Sequence, residues 1–206
     1  LPLPYDSTSS FAHPSLRADG KVLYFASDMK GGFGGNDIWY VKKIKRDEWS
    51  EPINMGEQIN TSGNEVFPFI HFDGSLYFSS DGHIGMGGLD IFKAEFDDEN
   101  ILRSIINMKS PINSSNDDFG IIFENEEEKG YLSSNRLGSK GDDIYQFYLP
   151  KLDLTLSGVV LDAKTEQIIS DVKIDIVGSD GSQMTAISDN SGRYIFDEDY
   201  IKENVS

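Results

Sequence analysis

The 206-residue chain contains no cysteine, and this absence excludes several kinds of chemistry at once. Without thiols there is no disulfide, no thiolate metal site and no cysteine nucleophile. Long apolar runs are absent too: no stretch of the sequence approaches the roughly 18–20 residues that a membrane-spanning helix requires. The sequence therefore predicts a chain that has no membrane span and is held together by non-covalent packing.

Positive charge is scarce: 18 Lys and Arg residues stand against 35 Asp and Glu residues, which gives a formal net charge of −17 at pH 7. Nucleic acid is therefore a poor partner, because phosphate binding requires a basic surface. An anionic membrane surface is disfavoured for the same reason. Apolar residues still make up 38% of the chain and aromatic residues 12%, which is enough for a packed core.

The common catalytic motifs find little support in the sequence. The histidines His13, His71 and His83 form no HExxH pattern, and the chain contains no GxSxG. A phosphate-binding loop must lead from a strand into a helix, whereas the glycine-rich stretches here lead into residues that predict another strand. We therefore predict that the chain is not an enzyme, with no catalytic residue and no cofactor.

One sequence motif occurs three times in the chain. It consists of Ser-Asp or Ser-Asn, a glycine-containing loop, and a Gly-X-Asp-Ile-aromatic ending. The closing aspartates are Asp37, Asp90 and Asp143, and the glycines two positions earlier are Gly35, Gly88 and Gly141, so the period is 53 residues. A period of about 40–55 residues built from short strands is typical of propeller blades.

Each repeat divides into short strands. Asp19-Gly20 and Asp73-Gly74 lie between apolar runs and predict tight two-residue hairpin turns in which both residues have positive φ. Residues 48–53 predict the fourth strand of the first unit, and residues 101–108 that of the second. The third unit has no counterpart, and rings usually need about four or more blades. We therefore expect further blades before Leu1 in a longer protein.

From about Leu152 the repeated motif stops, and alternating apolar residues with new turn signals predict a second β unit. The predicted fold class is therefore all-β: a partial β-propeller of three blades of about 53 residues, followed by a truncated β-sandwich. We place the propeller blades at residues 1–150 and the sandwich at residues 151–206. The second unit is short for a stable sandwich, so we expect it to be incomplete.

Both regions resemble known families. The first resembles TolB-like and WD-like propeller blades, as found in OmpA-family envelope proteins of type IX-secreting Gram-negative bacteria. That resemblance is carried by Ala12-His13-Pro14, Asp19-Gly20-Lys21, residues 23–28, residues 31–35, Asp37-Ile38 and the linker residues 49–54 and 59–62. The second region resembles a carboxypeptidase-regulatory-like β-sandwich, on residues 157–162, 171–174 and 188–194.

The resemblance implies a place in the cell envelope, on the periplasmic side of the outer membrane or associated with it. It implies a non-enzymatic scaffold that holds other envelope proteins and is linked to outer-membrane secretion or assembly machinery. In that family a peptidoglycan-binding domain follows the sandwich. No stretch of this sequence matches that domain, so we expect peptidoglycan binding only through a domain absent here.

Two other functions stay open. A calcium- or small-ligand-binding propeller would use the repeated carboxylates Asp28, Asp37, Asp81 and Asp90, since hard cations bind several oxygens. The competing interpretation is that these side chains accept hydrogen bonds from backbone N–H groups of the glycine-rich turns. A propeller glycoside hydrolase would need paired carboxylates. With 35 acidic residues, chance pairs are abundant and say little.

Charge is unevenly distributed along the chain. Residues 95–128 are rich in Asp and Glu, which suggests either a solvated surface or a docking surface for a basic partner. A small basic cluster, Lys42, Lys43, Lys45 and Arg46, stands beside Trp49. We interpret this cluster as an exposed hairpin.

Overall fold

The computed structural model describes residues 8–97, 99–124, 129–149, 155–177 and 183–196. The protein is all-β: these residues form sixteen strands and no helix. All strand pairs are antiparallel, and they form several small sheets. The chain divides into two compact units, Leu1–Leu149 and Pro150–Ser206.

The first unit contains three sheets, each built from consecutive strands. Sheet 1 consists of β1 (Phe11–Leu16), β2 (Val22–Ser27), β3 (Asp37–Lys45), β4 (Glu48–Trp49) and β5 (Ile53–Asn54). Sheet 2 consists of β6 (Glu65–Ile70), β7 (Leu76–Ser80), β8 (Asp90–Phe96) and β9 (Leu102–Asn107). Sheet 3 consists of β10 (Asp118–Phe123), β11 (Lys129–Ser134) and β12 (Asp143–Tyr148).

The hairpin turn after β1 differs from the predicted two-residue type. Gly20 has a φ of 67° and donates its N–H to the carbonyl of Arg17, but Asp19 is not among the residues with positive φ. The Asp19 carboxylate instead accepts the N–H of Lys21, two residues further on. This side chain-to-backbone bond closes the turn without a left-handed aspartate, so the prediction that both residues have positive φ is wrong. The turn after β6 follows the same rule, with Gly74 at a φ of 91°.

The outer strand of sheet 1 also differs from the prediction. Residues 48–53 do not form one strand; β4 and β5 pair separately with β3, through Lys43–Trp49 and Tyr40–Ile53. Pro52 lies between them and has no N–H to give to a ladder, which interrupts the strand. In sheet 2, β9 is a single strand. In the part of the chain that the structure describes, β12 has a neighbour only on its β11 side.

The first strands of the three sheets share one irregularity. Each contains a register shift, and the bulged residue has positive φ: 53° at His13, 52° at Phe67 and 66° at Gly120. The bulges also lie against each other, since the His13 and Phe67 rings stack with centroids 3.7 Å apart. The N–H of Phe67 donates to Nδ1 of His13 over 3.3 Å. The first strands of sheets 1 and 2 are therefore neighbours.

Successive sheets pack face to face through apolar side chains. Between sheets 1 and 2 the buried residues include Ala26, Ile38, Leu76, Phe78, Phe92 and Ala94. Between sheets 2 and 3 they include Tyr77, Ile91, Ile121 and Leu132. The segments that link the sheets contribute one isoleucine to each core, Ile59 to the first and Ile112 to the second. Linker and sheets therefore form one packed stack.

The outward face of sheet 3 is the exception to this packing. We call it the sheet 3 outer face and define it by Ile122, Tyr131, Ile144 and Tyr148. Ile144 lies 53 positions after Ile91, and Ser133–Ile144 repeats the pairing Ser79–Ile91. Yet Ile91 is 0% exposed and Ile144 is 77% exposed. The face of sheet 2 that contains Ile91 is thus covered by sheet 3, whereas the equivalent face of sheet 3 is exposed.

The second unit is thinly packed over its described residues. Strand β13 (Leu156–Val159) pairs with β16 (Arg193–Phe196), and β14 (Lys173–Val177) pairs with β15 (Gln183–Ile187). A gap of about 750 Å³ is lined by residues of β13, β15 and β16. Phe196 is the buried apolar side chain of the described part of this unit.

The pair Ile91 and Ile144 tests the register argument. We expect Ile91→Ala to destabilise the first unit by about 2–5 kcal/mol, because it leaves a cavity between sheets 2 and 3. We expect Ile144→Ala to change stability by less than about 0.5 kcal/mol, because the side chain is already in solvent. Urea unfolding followed by the fluorescence of Trp39 and Trp49 measures both. Equal losses for the two variants would contradict the assigned register.

Candidate functional site

The repeated motif forms a closed loop around its aspartate. In sheet 1 the Asp37 carboxylate, 1% exposed, accepts the N–H groups of Phe33 and Gly34 over 2.7 and 3.1 Å. It also accepts a hydrogen bond from Nδ2 of Asn54 over 2.7 Å. A Cβ at Gly34 would collide with backbone oxygens of the following linker, so only glycine allows this close approach. Asp37 therefore holds the loop against the linker.

The second repeat keeps the two backbone bonds to its aspartate, whereas the third keeps one. Asp90 is 0% exposed, and its Oδ2 accepts the N–H groups of Met86 and Gly87 over 2.7 and 2.9 Å. Its Oδ1 is buried without a hydrogen-bond partner among the described residues. Asp143 is exposed and accepts the N–H of Lys140 over 3.2 Å. The third loop therefore keeps the sequence motif but loses much of the bonding that buries it.

The motif glycines follow the same trend. The N–H of Gly35 donates to the carbonyl of Gly63 over 2.7 Å, and a Cβ there would meet the Asn64 side chain. At Gly88 a Cβ would meet the Asp117 carboxylate. At Gly141 a Cβ would meet nothing within 4 Å. Two of the three glycines therefore pack against the segment that leads into the next sheet.

A buried asparagine fastens each linker, and we did not assign this role from the sequence. Asn60 is 1% exposed; its Oδ1 accepts the N–H of Ile38, and its Nδ2 donates to the carbonyl of the same residue, over 2.7 and 3.0 Å. Asn113 makes the same pair of bonds to Ile91 over 2.8 and 2.9 Å. Each side-chain amide thus accepts the N–H of one strand residue and is a second donor to its carbonyl, which also accepts the N–H of Met55 or Met108. The signal was the 53-residue spacing of the two asparagines.

The remaining calcium candidates bond to backbone and amide groups. Asp28 accepts the N–H of Ser10 over 2.6 Å. Asp81 accepts both the N–H and Nδ2 of Asn64, over 2.6 and 2.9 Å. Within the described residues, no group of three or more His, Asp or Glu side chains is arranged to hold a metal ion. The structure therefore does not bring Asp28, Asp37, Asp81 and Asp90 together into a cation site.

Two buried acids at the start of β6 and β10 were also missed by the sequence reasoning. Glu65 is 0% exposed and accepts hydrogen bonds from the N–H and hydroxyl of Thr61, each over 2.7 Å, and from the hydroxyl of Ser80 over 2.6 Å. Its counterpart Asp118 accepts bonds from the N–H and hydroxyl of Ser114. These acids tie each linker to the sheet that follows it.

Arg136 neutralises the second of these acids. One of its nitrogens lies 2.5 Å from the Asp118 carboxylate and 2.7 Å from the carbonyl of Ile112. Its guanidinium also lies 4.8 Å from the centroid of the Tyr145 ring. In sheet 2 the corresponding place is taken by His83, whose Nε2 is 2.8 Å from the carbonyl of Ile59. Both side chains therefore hold a linker carbonyl.

The other two histidines lie in aromatic surroundings. Burial among the stacked bulges lowers the pKa of the His13 imidazole. His71 is 5% exposed, with its ring between Phe72 and Phe123 and its Nδ1 2.9 Å from the Asp73 carboxylate. His13, His71 and His83 lie on separate features and share no partner in the contacts described. His13 and His83 each make one hydrogen bond to the backbone, whereas both ring nitrogens of His71 are buried without a hydrogen-bond partner among the described residues.

The acidic stretch of residues 95–128 is largely engaged by its own neighbours. Glu95 lies 2.8 Å from Lys93, and Glu124 lies 2.9 Å from Lys129. Asp97 accepts the N–H groups of residues 99 and 101. Residues 98 and 125–128, which carry Asp98 and three further glutamates, lie outside the described residues.

No protein-family model matches the chain, and a search of curated proteins found no match. Over the described residues, no helix is long and apolar enough to cross a membrane. The site is thus characterised by its own geometry: a repeated set of carboxylate and amide side chains that join loops, linkers and sheets.

The three aspartates give a graded prediction. We expect Asp37→Ala to destabilise the first unit by about 1–3 kcal/mol, because it leaves buried N–H donors without an acceptor. Asp143→Ala should cost less than about 0.5 kcal/mol, because that carboxylate is exposed. Chemical denaturation of both variants checks this. A loss at Asp143 as large as that at Asp37 would refute the difference in bonding.

The buried ion pair makes a second prediction. We expect Arg136→Ala to cost about 3–5 kcal/mol, because it leaves Asp118 charged and buried without its cation. Adding Asp118→Asn to this variant should restore part of the loss, since a neutral amide needs no counter-charge. Thermal and urea unfolding of the single and double variants measure this. If the second change only adds to the damage, charge compensation is not the role of Arg136.

Proposed function

We propose that residues 8–149 are three consecutive blades of a β-propeller, and that the chain works as a non-enzymatic protein-interaction scaffold. Three observations support the blade assignment. The sheets repeat at 53 residues, each is built from consecutive antiparallel strands, and each packs its face on the next. The second unit is proposed to be a β-sandwich, on its two pairs of antiparallel strands.

The observation that carries the scaffold proposal is the sheet 3 outer face. Ile122 is 49% exposed, Ile144 77% and Tyr148 68%, and these side chains lie on one face of one sheet. Exposed apolar patches of this kind mark interaction sites. The equivalent face of sheet 1 is covered by sheet 2, and that of sheet 2 is covered by sheet 3. We infer that the occupant is another β-sheet with an aliphatic and aromatic face.

The cellular location is proposed from the resemblance of the sequence to OmpA-family envelope proteins. That resemblance supports a location in the bacterial cell envelope, on the periplasmic side of the outer membrane or associated with it, among proteins of a secretion or assembly machinery. The partners would be other envelope proteins. The net charge of −17 argues against nucleic acid as a partner.

Site-specific photo-cross-linking tests the proposal. A benzophenone amino acid placed at Ile144 in the full chain should form a covalent adduct with a protein when mixed with envelope membranes. The matched control is Leu137, which is 98% exposed but lies in the loop between β11 and β12. Adding Tyr148→Ser should weaken the adduct at position 144 without changing the melting temperature. An equal yield at positions 144 and 137, or none at 144, would contradict the proposal.

A further inference from the structure

A cleft of about 590 Å³ opens between sheets 1 and 2, and its floor is apolar and aromatic. Val22 and Ile70 are buried at 6% and 9% exposure. Tyr24 and Tyr40 lie opposite each other on β2 and β3, with ring centroids 5.9 Å apart and the planes tilted by 41°. Burial raises the pKa of the Tyr24 hydroxyl, so this ring is neutral at physiological pH. The floor is therefore suited to an apolar or flat group.

The rim of the cleft is basic, although the whole chain is strongly acidic. Among the described residues that line the cleft are Arg17, Lys21, Lys42 and Lys43, against one carboxylate, that of Glu99. Arg17 donates two hydrogen bonds to Asp19, over 3.0 and 2.7 Å. These bonds, together with the N–H and the charge of Lys21, hold the pKa of that carboxyl at about 2. The charge of Arg17 is thus balanced locally by an ionised partner.

Two of the three rim lysines, Lys21 and Lys42, are placed to contact an anion in the cleft. The Nζ of Lys43 lies 5.7 Å from the centroid of the Trp49 ring, whereas that of Lys42 lies 5.6 Å from Tyr40, inside the cleft. Neither Lys21 nor Lys42 forms an ion pair within the described part of the chain. An ammonium group without an ion-pair partner at the edge of an apolar cleft attracts a carboxylate by its charge.

We propose that this cleft binds a small organic anion, a carboxylate carried on an aromatic or aliphatic body. The body would lie on the tyrosine and aliphatic floor, and the carboxylate would contact Lys21 and Lys42. The volume falls within the roughly 300–1,000 Å³ of small-molecule pockets, which combine an apolar lining with a few placed polar groups. The proposal does not rest on the scaffold role, because it involves sheets 1 and 2 only.

Titration of the isotope-labelled full chain with 2-naphthoate, followed by NMR, tests the proposal. We expect saturable shifts of the Tyr24 and Tyr40 amides. The uncharged analogue 2-naphthylmethanol has the same ring system. It should bind about tenfold more weakly, because it cannot form the charge-assisted contact with a lysine. Equal affinities for the two probes, or shifts confined to other residues, would overturn the proposal.

Three charge variants sharpen the test. Lys21→Gln and Lys42→Gln should each weaken 2-naphthoate binding by about five- to tenfold, and Glu99→Gln should strengthen it. The matched control is Lys45→Gln on the same hairpin, since Lys45 lies outside the cleft and 3.2 Å from Glu48. All four changes are at exposed side chains, so melting temperatures should stay unchanged. Unaltered affinity in both Lys21→Gln and Lys42→Gln would refute the assigned contacts.

Two natural sources could supply such a carboxylate, a free small molecule or the terminus of a peptide. Octanoate represents the first, and N-acetyl-Gly-Gly-Phe with a free carboxyl end represents the second, with its C-terminal amide as control. Binding of either carboxylate at the cleft supports the proposal and indicates the source. If 2-naphthoate, octanoate and the peptide acid all leave the cleft amides unshifted at millimolar concentration, the cleft is not an anion site.

Discussion

The stacking of the sheets depends on one buried side chain in each linker. Asn60 and Asn113 use both ends of the amide to bond both backbone groups of a single strand residue, Ile38 or Ile91. The two carbonyls also accept the N–H groups of Met55 and Met108, each over 3.1 Å, whereas the N–H groups of Ile38 and Ile91 donate to the asparagine side chains. Leaving a buried donor or acceptor unpaired costs about 1–3 kcal/mol, so the asparagine allows a sheet edge to be buried under the linker.

The rest of the first unit follows from this attachment. Once the linker is fastened to one sheet, Ile59 or Ile112 enters the core, and Glu65 or Asp118 bonds the linker to the start of the next strand. The next sheet is therefore placed face to face with the previous one. Within the described residues no such linker follows sheet 3, whose outer face is exposed. The proposed interaction surface and the fold thus have the same physical origin.

The sequence predicted the repeat period and the order of the strands because alternation and turn residues are local signals. The sequence-based prediction was wrong where the bonding of one side chain determined the local backbone conformation. Asp19 and Asp73 closed their turns by bonding the backbone and avoided positive φ. Pro52 interrupted an outer strand. The equivalence of Asp37, Asp90 and Asp143 in sequence did not extend to burial, because within the described residues no linker packs against the third loop. The buried acids Glu65 and Asp118 could not be distinguished from surface carboxylates in such an acidic chain, although each has a threonine or serine four positions earlier.

Native-state hydrogen exchange tests the central role of the linker asparagines most directly. The amides of Ile38 and Ile91 donate to Asn60 and Asn113, whereas Ile144 holds the equivalent position on β12 with no such linker in the described chain. The account predicts that the amides of Ile38 and Ile91 exchange only when the whole first unit unfolds, and that the amide of Ile144 exchanges through local opening. Exchange at Ile38 and Ile91 as fast as at Ile144 would contradict it.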